Sequence, residues 1–451
     1  MLPGEAFDAA VAARSLRVGV IGLGYVGLPL VKALTDQGFP VTGFDVDPEK
    51  VTTLNGGRSY IQGVPDEAIA SARKADLFEA TADFEMISQI DAILICVPTP
   101  LSRYREPDLS FIVNTTRTLS PHLSPGTLVV LESTTYPGTT SEVVRPILES
   151  GDRRSADELE RRSGEDFFLA YSPEREDPGN IDHTTSSMPK VVGGDGAEAL
   201  RRACLLYDQF VTRTVPVSSP ETAEAVKLTE NIFRSVNIAL VNELKGVFSA
   251  MDIDVWEVID AAKTKPFGFM PFYPGPGLGG HCIPIDPFYL TWKAREFDIA
   301  TRFIELAGEI NTAMPRLIVE ATAKSLDARA SKGLNGAKIL IAGVAYKKNV
   351  QDVRESPALN IMDLLIQRGA EIIYHDPLVP VIPTTREHPD LAEMKSQPIS
   401  ESLLAAQDAV VIITDHDDVD YDTLASHARL IIDTRNAMAR VDHDQDKVVR
   451  A

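Results

Sequence analysis

A loop rich in glycine and proline at residues 274–287 places Cys282 four residues before Asp286. Its glycines and prolines exclude a regular helix or a central strand, so the backbone must be a shaped loop. Such a loop can present a reactive thiol beside peptide N–H groups with a carboxylate within reach. The same pattern also fits a buried structural cysteine, so the rest of the chain must decide between the two interpretations.

The chain's composition limits the classes of protein and partner. With 451 residues it exceeds one hydrophobic core, so we expect two or three domains. A formal net charge of −21 argues against nucleic acid or an anionic membrane as a partner. The first fifteen residues carry Glu5 and Asp8, and no apolar run approaches the roughly 20 residues that span a bilayer. We therefore expect neither a secretory signal nor a membrane span.

Cysteine and histidine usage points to the cytoplasm and away from metals. Cys96, Cys204 and Cys282 are far apart in the sequence, so they suggest neither a disulfide framework nor a paired-cysteine metal site. The eight histidines are scattered, and we predict no metal site. Cys96 falls in an apolar strand and Cys204 in a helical stretch, and we predict that both belong to the core.

Residues 16–46 have the pattern of a dinucleotide-binding strand–turn–helix–strand unit. A predicted strand at 16–21 leads into a G-x-G-x-x-G turn that opens a helix, and a second strand at 41–45 ends in an acid. This acid favours NAD over NADP because it can bond a ribose hydroxyl, a preference that the neighbouring lysine could soften. The cofactor candidates here are Gly22, Gly24, Tyr25, Val26, Gly27, Asp45 and Lys50.

Further apolar runs at residues 92–97, 127–131 and 167–170 alternate with helical stretches, as in a parallel α/β sheet. Ligands of such sheets bind at the carboxyl ends of the strands, so the loops that follow should line the cofactor and substrate. The residues of these loops that we single out are Pro98, Thr99, Thr134, Glu174 and Arg175.

The middle of the chain is predicted to form long helices. Apolar residues recur every three or four positions from 221 to 251 and again from about 300 to 327, where Pro315 should introduce a kink or start a new segment. Lys227 and Asn231 share one face of the first helix, a spacing that is usually solvent-exposed. Helices of this length connect domains or pack against another subunit.

The last third of the chain contains a second, degenerate strand–loop–helix–strand unit. Strands are predicted at 338–343 and 371–376 around a helix at 356–368, and further strands at 409–413 and 430–433. Its first loop carries Lys347, Lys348 and Arg354 in place of the glycines. Basic side chains suit a ligand diphosphate, although a solvated basic loop would look the same.

Six motifs occur in the order GLGYVGLP, ESTTYPGT, YSPERED, AVKLTEN, GLGGHCIPIDP and AYKKNVQDVRESP. Together they resemble the nucleotide-sugar 6-dehydrogenases of the UDP-glucose/GDP-mannose dehydrogenase family, over residues 16 to 435. The resemblance implies an α/β fold in which two Rossmann-like, doubly wound domains are joined by a central long-helix domain. The implied domains are residues 1–215 for NAD, 216–329 for dimerisation and the cysteine loop, and 330–451 for the nucleotide sugar.

The resemblance also implies a reaction, in which a cytoplasmic homodimer or higher homo-oligomer oxidises the C6 alcohol of a UDP-sugar to the acid with two NAD⁺. Cys282 matches the nucleophile that forms a thiohemiacetal and then a thioester, and Asp286 matches the carboxylate beside it. Lys227 and Asn231 match the donors to the C6 oxygen, while Thr134 and Glu174 position water or act as acid and base. The implied substrate contacts are Glu174, Arg175, Lys227, Asn231, Tyr273, Gly275, Gly277, Gly279 and Lys347, and Arg354 reaches the cofactor.

Alternatives remain for the sugar and for the reaction. For the sugar, Arg175 and the Pro-Gly-Asn of residues 178–180 resemble members acting on UDP-N-acetylhexosamines. This ranks UDP-N-acetylglucosamine first, UDP-N-acetylmannosamine second and UDP-glucose third. Lys263 and Lys265 stand where UDP-glucose members have an arginine, which weakens the case for glucose.

Two other functions are open. A two-electron hydroxyacid dehydrogenase would need a lysine and an asparagine but no cysteine. A non-catalytic NAD sensor would not need Lys227, Asn231 and Asp286.

Overall fold

The structure is a computed structural model. It describes residues 4–61, 63–102, 104–151, 161–175, 186–280, 283–385, 387–442 and 444–451. The chain forms two compact units, one of Met1–Glu230 with Phe288–Ile299 and the other of Asn231–Pro287 with Ala300–Ala451. The division into three domains stays a prediction.

The first unit is built on one eight-stranded sheet. Its strands are β1 (Val18–Ile21), β2 (Val41–Phe44), β3 (Phe78–Thr81), β4 (Ala92–Ile95), β5 (Leu128–Leu131), β6 (Phe168–Tyr171), β7 (Lys190–Gly194) and β8 (Thr214–Val217). The strand order is β3-β2-β1-β4-β5-β6-β7-β8, and β1 pairs in parallel with both β2 and β4. The five strands predicted from the apolar runs are confirmed. The sequence analysis missed β3, β7 and β8, and it missed that β6 and β7 are antiparallel.

Alternate residues of the central strands pack into two separate cores. Ala92 and Leu94 of β4 face one core, while Ile93 and Ile95 face the other, as the two-residue period of a strand requires. Both faces are therefore buried, which explains the continuous apolar runs. Cys96 follows β4 directly and lies in the first core, as predicted, and the half-buried Cys204 packs against that core.

Helices cover this sheet, and the third of them begins where the sequence supplies a side-chain cap. The helices are α1 (Gly4–Ala12), α2 (Gly27–Asp36), α3 (Pro48–Asn55), α4 (Asp66–Lys74), α5 (Ser110–Leu119), α6 (Arg145–Ser150) and α7 (Ala197–Tyr207). Shorter 3₁₀ turns span Phe84–Gln89 and Ser120–His122, and a π-helical turn spans Thr139–Val144. Asp47 caps α3 by accepting the N–H of Glu49, with Pro48 in the first turn.

The long helices form as predicted. They are α8 (Pro220–Ala250) and α11 (Arg302–Ala330), and the shorter α9 (Val255–Ala262) and α10 (Asp286–Ala294) lie between them, with a 3₁₀ turn at Arg295–Phe297. Helix α11 continues through the buried Pro315, so the prediction of a possible new segment at that residue is wrong.

The second unit contains a five-stranded parallel sheet. Its strands are β9 (Lys338–Ala342), β10 (Glu371–His375), β11 (Ala409–Ile412), β12 (Ile431–Asp433) and β13 (Val448–Arg450), in the order β10-β9-β11-β12-β13. Its helices are α12 (Pro357–Gln367), α13 (Glu401–Ala405) and α14 (Tyr421–His427), with 3₁₀ turns at Pro389–Leu391, Ala437–Arg440 and Gln445–Lys447. The four predicted strands are confirmed, and β13 was missed.

The two sheets share a structural detail that supports the interpretation of the second as a degenerate repeat. An aspartate follows the second strand of each repeat and accepts N–H groups from the loop after the first strand. Asp45 accepts from Leu23 at 3.0 Å, and Asp376 accepts from Val344 and Ala345 at 2.8 and 3.0 Å. Within the described part of the chain, none of the helices combines the length and apolar character that crossing a membrane requires.

Candidate active site

The glycine turn after β1 fits a dinucleotide. Gly22 has a φ of 91°, and a Cβ there would lie 2.6 Å from the Cys96 carbonyl oxygen. A Cβ at Gly27 would lie 2.0 Å from the Gly22 oxygen, so protein packing requires both glycines. A Cβ at Gly24 would meet nothing within 4 Å, which leaves open space beside the turn. A pyrophosphate can approach the backbone there and face the N-terminus of α2.

Asp45 is held rigidly at the end of β2. Its side chain is buried and accepts the N–H groups of Leu23 and Asp47, both at 3.0 Å. The Lys50 ammonium lies 3.2 Å from the same carboxylate. Lys50 therefore neutralises part of the Asp45 charge, and the expected softening of the preference for NAD over NADP stays a prediction.

The loops after β4 and β5 are also anchored. Thr99 is buried, and its carbonyl accepts the Tyr289 hydroxyl at 2.8 Å, whereas Pro98 is exposed. Ser133, next to the half-buried Thr134, donates to the Val97 carbonyl at 2.7 Å. These two adjoining loops are thus linked at the carboxyl end of the sheet, where ligands of this fold class bind.

A carboxylate from helix α8 fixes the same region. Glu224 is fully buried and accepts the N–H groups of Gly138 and Thr140 at 2.6 and 2.9 Å, and the Thr140 hydroxyl at 2.7 Å. Burial raises the pKa of Glu224 to about 7, against the lowering effect of these donors. Glu224 precedes Lys227 by one helical turn, so it ties the helix that carries Lys227 to the loop that carries Thr134.

Lys227 lies in the protein interior. A lysine that shares a helix face with a polar residue four positions on, as Lys227 does with Asn231, is usually exposed to solvent. The Lys227 side chain is buried, and its ammonium donates to the main-chain carbonyl of Glu174 at 2.6 Å. The Glu174 carboxylate in turn accepts the Lys190 ammonium at 3.0 Å. The structure thus brings together two of the predicted catalytic residues in the first unit.

Arg175 makes protein contacts with its guanidinium. One nitrogen donates to the Pro189 carbonyl at 2.9 Å, and two others pair with the Glu230 carboxylate. The acetamido donor role of Arg175 stays a prediction, as does that of the Pro-Gly-Asn at residues 178–180, which lie outside the described residues.

In the second unit, Asn231 and Asp286 form a hydrogen-bonded pair. The Asn231 amide donates to the carboxylate of Asp286, which is 2% exposed. Asp286 opens helix α10, four residues after Cys282, which lies outside the described residues together with His281. The pair connects α8 to the end of the cysteine loop. The role of Cys282 stays a prediction.

The glycine loop packs against the second sheet's loops, which explains its glycines. A Cβ at Gly279 would lie 2.7 Å from the Tyr346 Cβ, and Gly280 donates its N–H to the Arg354 carbonyl at 3.1 Å. Gly277 has a φ of 133°, a backbone conformation that side chains rarely adopt. The structure therefore joins the loop of Gly275, Gly277 and Gly279 to the segment that carries Lys347 and Arg354.

Other predicted residues of the second unit make local contacts. Tyr273 stacks on Trp256 with ring centroids 5.4 Å apart and donates its hydroxyl to Asp260 at 2.8 Å. Arg354 pairs with Asp352 at 2.7 Å, and 44% of its side chain is exposed. Lys348 pairs with Asp417 at 2.6 Å.

The structure adds two cationic side chains, Arg435 and Lys245, that the sequence analysis missed. The guanidinium of the half-buried Arg435 would lie 2.5 Å from a Cβ at Gly275, and its Nε donates to the Ile413 carbonyl. The Lys245 ammonium is buried and has no hydrogen-bond partner among the described residues, and burial lowers its pKa to about 8. The sequence contained one indication of Lys245. It follows Lys227 by 18 residues, or about five helical turns, so the two lysines lie on the same face of the helix.

Comparison with known proteins decides the family. Residues 16–211, 221–313 and 340–440 match the NAD binding, central and UDP binding domains of the UDP-glucose/GDP-mannose dehydrogenase family. The chain belongs to this family. It is therefore an NAD-dependent UDP-sugar dehydrogenase, an oxidoreductase, with a UDP-binding domain at its C-terminal end. The resemblance inferred from the six motifs is confirmed.

The relatives differ in their sugars. A UDP-N-acetyl-D-glucosamine 6-dehydrogenase of Pseudomonas aeruginosa is 35% identical over 81% of this chain and 84% of its own length. An NDP-N-acetyl-D-galactosaminuronic acid dehydrogenase of Ralstonia nicotianae is 33% identical over 95% of this chain and 97% of its own. The solved UDP-D-ManNAc dehydrogenase of Pyrococcus horikoshii has a TM-score of 0.83 at 32% identity and covers 94% of this chain and 96% of its own. The family is a nucleotide-sugar 6-dehydrogenase family, and these identities do not single out one sugar.

No metal site accompanies these residues in the described part of the chain, where no group of three or more His, Cys, Asp and Glu side chains could hold an ion.

Proposed function

We propose that the enzyme oxidises the C6 alcohol of a UDP-N-acetylhexosamine to the carboxylate in two successive steps, with UDP-N-acetylglucosamine as its substrate. The observation that carries the proposal is the hydrogen bonding of the two donors, of which Lys227 is buried and Asn231 is half-buried. Lys227 is held by the Glu174 carbonyl, and Asn231 by Asp286 at the end of the Cys282 loop. These residue types can stabilise a developing C6 oxyanion and then a thiol adduct.

In the first oxidation the chain must bind the alcohol and stabilise its oxygen as the hydroxyl proton passes to a water molecule. When bound, NAD⁺ would accept a hydride from C6 in each oxidation, and Gly22, Gly24 and Asp45 would hold it. Lys227 and Asn231 donate hydrogen bonds to the C6 oxygen as negative charge develops on it. The product of this step is an aldehyde at C6.

In the second oxidation Cys282 takes part covalently. Its sulfur bonds to the aldehyde carbon while the thiol proton passes to the aldehyde oxygen, which gives a thiohemiacetal, a better hydride donor than the aldehyde. When the thiohemiacetal loses its hydride and its hydroxyl proton, C6 becomes the carbonyl carbon of a thioester. Water then forms a bond to C6 and the C6–sulfur bond breaks, so that Cys282 leaves as a thiolate and Glu174 receives a proton from the water.

The nucleotide is bound by the second unit. Lys347 is our candidate for the diphosphate, and Lys245 and Arg435 add positive charge beside Gly275. These local cations offset the overall charge of −21, which repels a diphosphate. The match of residues 340–440 to a UDP binding domain weighs against the hydroxyacid dehydrogenase alternative, which has no use for such a domain.

The sugar preference can be measured directly. We expect kcat/KM for UDP-N-acetylglucosamine to exceed that for UDP-glucose by about 10- to 100-fold, because one hydrogen bond to the acetamido carbonyl contributes roughly 1–3 kcal/mol. UDP-N-acetylmannosamine should fall between them. All three sugars are compared at one saturating NAD⁺ concentration. A clear preference for UDP-glucose would refute the sugar assignment and leave the reaction class intact.

We also propose that the enzyme is a homodimer through helix α8. Phe233, Leu240 and Val247 are 49%, 51% and 48% exposed and recur every seven residues, so they form an apolar stripe along one face. Light scattering at micromolar concentration should give at least twice the chain mass of 49.1 kDa. Leu240→Glu should produce monomers, and Arg234→Glu, off the stripe, should not. A monomeric wild-type protein would contradict the proposal.

A further inference from the structure

Four buried polar side chains form a cluster in the first unit. Glu132 follows β5, Glu174 follows β6, Lys190 opens β7 and Tyr207 ends α7. Their exposed fractions are 1%, 8%, 4% and 0%, so water has little access to any of them. We call these four residues the Lys190 cluster.

Lys190 bridges the two carboxylates of the cluster. Its Nζ lies 2.6 Å from Glu132 Oε2 and 3.0 Å from Glu174 Oε2. The second oxygen of each carboxylate also accepts a hydrogen bond. Tyr207 donates its hydroxyl to Glu132, and the Arg175 N–H donates to Glu174 at 2.6 Å. The orientation of the Glu174 carboxylate is therefore set by Lys190 on one side and by the backbone on the other.

The charges of the cluster do not cancel, because two carboxylates share one ammonium. Burial raises the pKa of Glu132 even though Lys190 lowers it. For Glu174 burial acts in the same direction, but Lys190 and the Arg175 N–H outweigh it, so that its pKa lies below its usual range. Lys190 and the Arg175 N–H thus hold Glu174 ionised, while the Glu132 carboxylate competes with Glu174 for the same ammonium.

Glu174 also acts on the substrate side of the cluster through its main chain, since its carbonyl accepts the Lys227 ammonium at 2.6 Å. Glu174, the proposed general base, thus contacts Lys190 through its carboxylate and the proposed oxyanion donor Lys227 through its carbonyl. A shift of Glu174 would displace both groups together.

We propose that Lys190 is a positioning residue that keeps Glu174 ionised and oriented to take the proton of the water that hydrolyses the thioester. This inference rests on the proposed function. In that step the water oxygen bonds to C6, its proton moves to the Glu174 carboxylate, and the Cys282 thiolate departs. Glu132 competes with Glu174 for the Lys190 ammonium, and Tyr207 donates a hydrogen bond to Glu132. The strength of the Lys190–Glu174 ion pair therefore depends on Glu132 and Tyr207.

The neighbouring ionisable groups must be considered in any pH experiment. The Cys96 thiol is buried beside Glu132 and Lys190, and its pKa is raised by burial. Lys227 of α8 contacts the main chain of Glu174, and the Arg175 side chain is paired with Glu230. The ionisable groups of this region are therefore Glu132, Lys190, Tyr207, Cys96, Lys227 and Arg175, with Glu230 paired to the Arg175 side chain.

The test measures uronate release in a single turnover as a function of pH. Loss of activity at low pH marks the protonation of Glu174. In Lys190→Met this acidic limb should move about 1 to 3 units to higher pH, because the nearby positive charge is gone. In Glu132→Gln it should move up to about one unit to lower pH, because a competing negative charge is gone. The Lys190→Arg variant keeps the positive charge, so its activity should fall at the same low pH as that of the wild type.

Binding of NAD⁺ by each variant shows that the first unit is folded. If Lys190→Met does not fold, the shift in Glu132→Gln decides alone. A folded Glu132→Gln protein whose acidic limb is unchanged or moves to higher pH would overturn the inference, as would a Lys190→Met limb at the wild-type position. A wild-type enzyme that forms no NADH with any UDP-sugar would instead overturn the proposed function, and the inference with it.

Discussion

Replacing Cys282 with alanine is expected to reduce uronate formation about 10³-fold or more, with binding of NAD⁺ and UDP-sugar nearly unchanged. The physical reason is that an aldehyde lacks the good hydride donor character of a thiohemiacetal, and only the cysteine sulfur supplies that adduct. The side chain removed is small, and its loop is held by Gly280 and Asp286 on either side. Rates are measured by following uronate formation with saturating NAD⁺.

The matched control is Cys204→Ala. Cys204 is half-buried on α7, and burial raises the pKa of its thiol, so it is a poor nucleophile at neutral pH. The Cys204→Ala enzyme should behave like the wild type. If Cys282→Ala made uronate at a comparable rate, Cys282 would be structural and the thioester would be excluded.

Lys227→Met is expected to lower kcat about 10²- to 10³-fold with a smaller effect on KM for the sugar. Removal of one donor to a developing oxyanion costs roughly 3–4 kcal/mol in the transition state. Methionine keeps the length of the buried side chain but leaves the Glu174 carbonyl without its ammonium partner. Steady-state kinetics at several sugar concentrations separate kcat from KM.

Lys245→Met provides the comparison, since it removes a second buried lysine from the same helix. That variant should raise KM for the UDP-sugar and change kcat little, because we assign Lys245 to the nucleotide. A Lys227→Met enzyme with wild-type kcat would show that Lys227 is not a donor to the reacting oxygen.

Local signals explain what the sequence predicted well. The G-x-G-x-x-G turn, the acid at Asp45 and the apolar strands depend on residues close in the chain, and all appear as expected in the fold. The spacing of Lys227 and Asn231 placed them one turn apart on one helix. The sequence also indicated the second nucleotide-type unit, since the same strand–helix–strand pattern recurs.

Contacts between distant residues explain what it missed. Lys190 meets Glu132 and Glu174, which are 58 and 16 residues away, and no local pattern announces this cluster. Strand β7 runs antiparallel to its neighbour β6, which a simple alternation of strands and helices does not suggest. The sequence predicts that the glycine loop contacts the substrate through its glycines, and the structure shows that Gly279 and Gly275 also lie against Tyr346 and Arg435 of the same unit.

The ratio of NADH formed to sugar consumed tests the central claim most directly. A limiting amount of UDP-N-acetylglucosamine is converted to completion with excess NAD⁺, and NADH is counted by absorbance while the uronate is quantified. The balanced reaction is one alcohol, two NAD⁺ and one water giving one carboxylate, two NADH and three protons. We predict two NADH per sugar. One NADH per sugar, with the aldehyde as product, would contradict the four-electron oxidation through Cys282.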